Sequence, residues 1–120
     1  MTNEFTRGQN DRFTIRQNDR GIIIVTLVAS LLIPESPPLD EALENLLDRP
    51  RRILLDLTAI TYLGVVGVGM LINLQKKVTK AGGKLRLCGL SPNALEVVKL
   101  ATLDRLFDIR GTESDALVGF

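Results

Sequence analysis

The stretch that decides the fold is Ile53–Gln75, "ILLDLTAITYLGVVGVGMLINLQ". It opens on a nearly continuous apolar run, the pattern of an interior strand covered on both faces. The period then changes. Val68, Leu71 and Ile72, with Val78 beyond them, fall at core-facing helical spacing and predict a helix from about Val65 to Lys80. Three glycines, Gly64, Gly67 and Gly69, sit at the junction. Such strand-to-helix turns often present a phosphate site or a reactive hydroxyl at the helix N-terminus. Here the loop offers Val65 and Val66, with no hydroxyl, acid or lysine.

Working outward towards the C-terminus, "AGG" (Ala81–Gly83) is a helix stop. "KLRLCGL" follows as a strand with Leu85 and Leu87 on one face and Arg86 and Cys88 on the other. Ser91 and Pro92 open a further helix that carries Leu95, Val98 and Leu100 and runs towards "LDRLF". "DIRGT" is a short strand, and "ESDALVGF" begins a last, truncated helix. Lys76, Lys77 and Lys80 lie where cations complement a helix C-terminus, so they carry no argument for a binding patch.

Towards the N-terminus, Pro50 ends a helix whose Leu39, Leu43, Leu46 and Leu47 recur at helical spacing, with Ser36 and Pro37 at its start. "IIIVTLVA" (Ile22–Ala29) is a strong strand. "RFTIRQND" alternates Phe13 and Ile15 with Thr14 and Arg16 and pairs with it through the turn Asn18–Gly21. Residues 1–11 are polar and unpatterned and are expected to be flexible, leaving a domain over 12–120. The expected order is β-β-α-β-α-β-α-β: one α/β domain with a mixed, largely parallel sheet and an antiparallel strand at one edge.

Composition excludes much. The chain has 120 residues, 15 Lys and Arg against 14 Asp and Glu, no histidine and one cysteine. Near-neutral charge gives no reason to expect nucleic acid as partner. Without histidine the commonest general base and metal ligand are missing, so no catalytic residue, metal or cofactor is expected. The lone Cys88 fits a reducing, cytoplasmic setting and reads as a buried, inert thiol. "GIIIVTLVASLLI" (Gly21–Ile33) is shorter than the roughly 20 residues of a membrane span, and no signal peptide is expected, so no membrane insertion is expected either.

The glycine turn lacks the Gly-Lys-Ser/Thr end of a P-loop, and its GxxGxG spacing departs from the dinucleotide fingerprint GxGxxG. Its glycines read as a device for a tight turn and a close helix-to-sheet approach. Asp56 and Asp104 are the acids at junctions on this side, and they read as turn and surface residues.

Taken together, "ILLDLTAITYLGVVGVGML", "AGGKLRLCGLSP" and "LATLDRLFDI" resemble the STAS domain family, the fold of bacterial anti-sigma-factor antagonists. The resemblance is weakest before Pro50. In phospho-regulated members a loop Asp-Ser-Ser-Gly opens a helix, and its second serine accepts phosphate from a kinase that is itself the anti-sigma factor. By position Gly64, Val65, Val66 and Gly67 stand in its place, so only the glycine is kept. The resemblance therefore implies an antagonist that binds a serine-kinase-type anti-sigma factor through Tyr62, Leu63, Gly64, Val65, Val66, Gly67, Val68 and Gly69. It also implies that the switch residue is missing at Val66. Thr58 and Thr61 are the hydroxyls near enough to act as substitutes. The alternatives are a STAS subunit of a lipid or anion transport system, and a nucleotide- or lipid-binding module using the glycine turn.

Overall fold

Six strands form one sheet in which spatial order equals sequence order, β1 to β6. The computed structural model describes residues 5–9, 13–27, 45–47, 49–60, 63 and 65–120. β1 (Phe5–Gln9), β2 (Phe13–Gln17) and β3 (Ile23–Leu27) run antiparallel to one another in turn. β4 (Arg52–Asp56), β5 (Lys84–Cys88) and β6 (Asp108–Arg110) then continue parallel to β3. The helices are α1 (Val65–Lys80), α2 (Pro92–Leu100) and α3 (Glu113–Leu117). The expected mixed, largely parallel α/β sheet is therefore present.

Alternation along the strands separates two cores, because successive side chains point to opposite faces. Ile15, Ile23, Val25, Ile53, Leu55, Leu85 and Leu87 face α1 and α2, where Leu71, Leu74, Val78, Ala94 and Val98 meet them. Ile24, Leu54 and Cys88 face the other way and are covered by Ala116 of α3, with Leu117 and Phe120 packed against them. Ile53, Leu54 and Leu55 are all fully buried, as the apolar run requires of an interior strand. Burying each such side chain contributes about 2 kcal/mol.

The second face is held by arginines. Arg86 donates Nε to Asp108 (2.8 Å) and Nη1 to the carbonyls of Ala116 and Val118 (2.9 Å each). Its guanidinium also lies 4.6 Å from the centre of the Phe120 ring. Arg16 pairs with Glu113, and Arg52 Nη1 donates to the Phe120 backbone oxygen (2.6 Å). Burial raises the Asp108 carboxyl, but the hydrogen bonds and charges of Arg110 and Arg86 outweigh it and hold the group below its ordinary range.

Helix ends follow their chemistry. Ser91 Oγ accepts from Ala94 N (3.1 Å) ahead of Pro92, and Thr112 Oγ1 accepts from Asp115 N (3.1 Å). Gly82, at φ +82°, closes α1, with Gly83 N donating to Val78 O.

Two features depart from expectation. Residues 5–9 form an edge strand, with a register shift between Thr6 and Gly8, where no element was expected. The helix expected to run into "LDRLF" stops at Leu100. Thr102 adopts a left-handed conformation (φ +55°), and a single 3-10 turn, Leu103–Arg105, follows. A non-glycine residue there breaks the helical path. The helix expected before Pro50 falls largely outside the described residues. Within it, Leu46 is buried and accepts a hydrogen bond from Arg51 Nε (3.0 Å).

Candidate protein-binding edge

The strand-to-helix junction lies at the C-terminal edge of the parallel strands, built by a turn that Asp56 closes. Asp56 Oδ1 accepts from Thr58 N (2.9 Å) and from the Thr58 hydroxyl (2.6 Å), and Ile60 N donates to Leu57 O (2.9 Å). A side-chain carboxylate bonding the backbone two residues on is the usual way aspartate initiates a turn. Leu57, Ile60 and Leu63 point inward and anchor the loop. Thr58 and Ala59 stay exposed. Asp56 therefore has the turn role expected of it, and Asp104 is an exposed residue of the 3-10 turn.

Neighbouring loops are tied to this one. Leu57 N donates to Cys88 O (2.9 Å) and Gly89 N to Gly111 O (3.2 Å). Gly89 has φ +72°, and a Cβ there would lie 2.2 Å from Thr58 Oγ1 and 3.0 Å from Thr58 N. Only glycine lets the β5–α2 loop pass so close. Cys88, fully buried beside this turn, has its thiol pushed up to about 12, by burial first and then by the charges of Asp56 and Glu113. It is the inert thiol expected, since the reactive species is the thiolate.

α1 starts at Val65, so Val65, Val66, Gly67 and Val68 form its first turn, which carries no acid. Gly67 is buried and Val68 half-buried, which fits the expected close helix-to-sheet approach. Gly69 is exposed, and a Cβ built on it would meet nothing within 4 Å. Asn73 and Lys76 continue the exposed side of the helix one and two turns on. Thr61, Tyr62 and Gly64, and the side chains of Val65 and Val66, lie outside the described residues.

No group of three or more metal-ligating side chains comes together among the described residues, and no helix among them is long and apolar enough to cross a membrane.

The model of the STAS domain matches residues 14–116. The chain belongs to the STAS domain family. Solved structures share the fold of this STAS domain. A candidate anti-sigma factor antagonist from Thermotoga maritima superposes with a TM-score of 0.76 at 21% identity, over 88% of this chain and 92% of that one. An anti-sigma factor antagonist from Mycobacterium paratuberculosis gives 0.67 at 24%, over 98% and 92%. The murine solute carrier 26 family member A9 anion transporter gives 0.69 at 16%, over 98% of this chain but 22% of its own length.

Sequence reasoning placed the junction and the helix start, and it missed the role of Gly89. The signal available was "CGLSP", in which a lone glycine leaves a buried strand, but the Thr58 backbone it must clear is 31 residues away in the chain.

The geometry at Thr58 carries a prediction. Its hydroxyl is already bonded to the Asp56 carboxylate, and a phosphate there would place about two further negative charges against that carboxylate. Incubation with a serine/threonine kinase and ATP, followed by peptide mass spectrometry, is expected to leave Thr58 unmodified. Stoichiometric phosphate on Thr58 would contradict this.

Proposed function

We propose that this STAS domain acts as an anti-sigma-factor antagonist without catalysis, binding an anti-sigma factor of the serine-kinase type at the edge formed by residues 62–69 and the exposed side of α1. Val66 stands where phospho-regulated relatives carry the acceptor serine. The edge therefore stays in the uncharged, binding-competent condition, and the protein works in the cytoplasm as an unswitched member of the family.

The observation that carries this reading is Gly69. Glycine inside a helix costs about 1 kcal/mol relative to alanine. Gly69 is exposed, in the second turn of α1, and a Cβ there would meet nothing within 4 Å, so no packing contact among the described residues asks for it. A bare stretch of helix surface beside an apolar first turn is what a closely approaching partner backbone needs.

Gly69→Ala separates the two roles. The variant is expected to melt higher, with a gain of about 0.5 to 1 kcal/mol. It is also expected to bind the anti-sigma factor at least several-fold more weakly in calorimetric titration. Higher stability with unchanged affinity would remove Gly69 from the contact. The likeness to the murine transporter supports the second reading, docking on a transport protein. Co-purification with a transporter component and no binding to any kinase-type anti-sigma factor would favour it.

A further inference from the structure

The segment Glu113–Phe120 covers the second face of the sheet, and it is held differently from the rest of the fold. Ala116 is its buried residue, while Ser114, Asp115, Val118 and Gly119 are exposed. α3 has five residues, too few for a helix to stand without tertiary contacts. Its backbone bonds are local: Ala116 N donates to Thr112 O (3.0 Å), Val118 N to Asp115 O (3.3 Å) and Phe120 N to Leu117 O (3.4 Å). Arginine side chains supply hydrogen bonds that fasten it to the sheet. Arg86 reaches the Ala116 and Val118 carbonyls, Arg52 that of Phe120, and Arg20 Nη2 that of Leu117 (2.8 Å). The bonds to Leu117 and Val118 are exposed, and water competes for both groups there.

Beneath the segment lie Ile22, Ile24, Leu54 and Cys88, each fully buried. The strands themselves do not depend on this cover. Their other face packs on the larger cluster that includes Leu71, Val78 and Val98. Gly111 O accepts from Gly89 N (3.2 Å), which ties the chain to the β5–α2 loop just before the segment begins.

We propose that Glu113–Phe120 is a releasable strap. It lifts from the sheet as a unit while the strands, α1 and α2 stay folded, and when closed it masks the apolar row Ile22, Ile24 and Leu54. Segments with few buried apolar contacts and exposed hydrogen bonds open well below the free energy of global unfolding. The strap lies on the face away from α1, so it does not rest on the partner-binding reading.

Cys88, the chain's one cysteine, reports the opening. With the strap closed its thiol is fully buried and pushed up to about 12, so it is unreactive; lifting α3 removes Ala116 from it. The experiment follows reaction of Cys88 with an aromatic disulfide reagent at pH 8, in urea below the global transition. A rate that depends weakly on urea is expected, because that dependence scales with the surface exposed. Arg86→Gln should speed labelling at least about tenfold, as loss of charge-assisted hydrogen bonds does. Arg20→Gln, at an exposed position, should speed it by a smaller factor. Val98→Ala is the control. It weakens the first core in the closed and open forms alike, so it should lower the melting temperature and leave the labelling rate unchanged. A urea dependence equal to that of global unfolding, no labelling below the global transition, or acceleration by Val98→Ala as large as by Arg86→Gln would overturn the proposal.

Discussion

Val66→Asp is expected to leave the domain folded while weakening its binding to a serine-kinase-type anti-sigma factor by roughly a hundredfold or more. The fold should tolerate the change because Val66 lies in the first turn of α1, where an acid complements the positive end of the helix dipole, and that turn now carries none. Binding should suffer because the acid would be desolvated in an apolar contact without a partner. A buried, unpaired charge costs about 3 kcal/mol or more, and 1.4 kcal/mol is a factor of ten in affinity. Calorimetric titration of wild type and variant, matched for folding by circular dichroism, reads the effect. Unchanged affinity in a folded variant would mean that the contact lies elsewhere. Loss of folding would make Val66 a core residue and the motif structural.

The largest effect on stability is expected at Gly83. A Cβ there would lie 2.3 Å from the Arg51 carbonyl oxygen and 2.9 Å from the Arg51 nitrogen, and both are backbone atoms of the chain leading into β4. Gly83 is held in place by Val78 O, and Lys84 N bonds the same Arg51 oxygen, so neither side can withdraw without breaking the start of the β4–β5 pairing. Gly83→Ala should cost about 3 kcal/mol or more, the upper part of the range for overpacking. For a domain of this size that lowers the melting temperature by roughly 10 °C or more. Gly69→Ala is the internal control, because there the same methyl group enters open space and should stabilise. A Gly83→Ala variant that melts with the wild type would contradict the close approach of the turn to Arg51.

Much of this architecture is legible in single residues. The run at Ile53–Leu55 announces a central strand because no alternation is needed where both faces are covered, and β4 does lie between β3 and β5. Ser91 and Pro92 announce a helix start because each satisfies a requirement of the first turn alone. What escaped depends on distant partners. "FTRGQ" has no two-residue pattern and includes Gly8, so β1 exists through its pairing with β2 and not through its own composition. α2 stops at Leu100, ahead of the left-handed Thr102, without the glycine or proline that normally marks a break. The arginines that fasten the C-terminal segment act on backbone oxygens, and no sequence pattern marks an oxygen as an acceptor for Arg86 or Arg52. At the candidate site the sequence shows two valines, Val65 and Val66, at the start of α1. The emptiness around Gly69, which most supports a binding role, required coordinates.

Amide shift mapping on the wild-type chain titrated with an anti-sigma factor of the serine-kinase type reads the binding edge residue by residue. The largest changes are expected on Val65–Met70 and on the exposed side of α1 at Asn73 and Lys76, with the Gly82–Lys84 turn at the other end of the sheet undisturbed. Changes centred on that turn, on α3 or on the β1–β2 edge, or no saturable change at all, would contradict it.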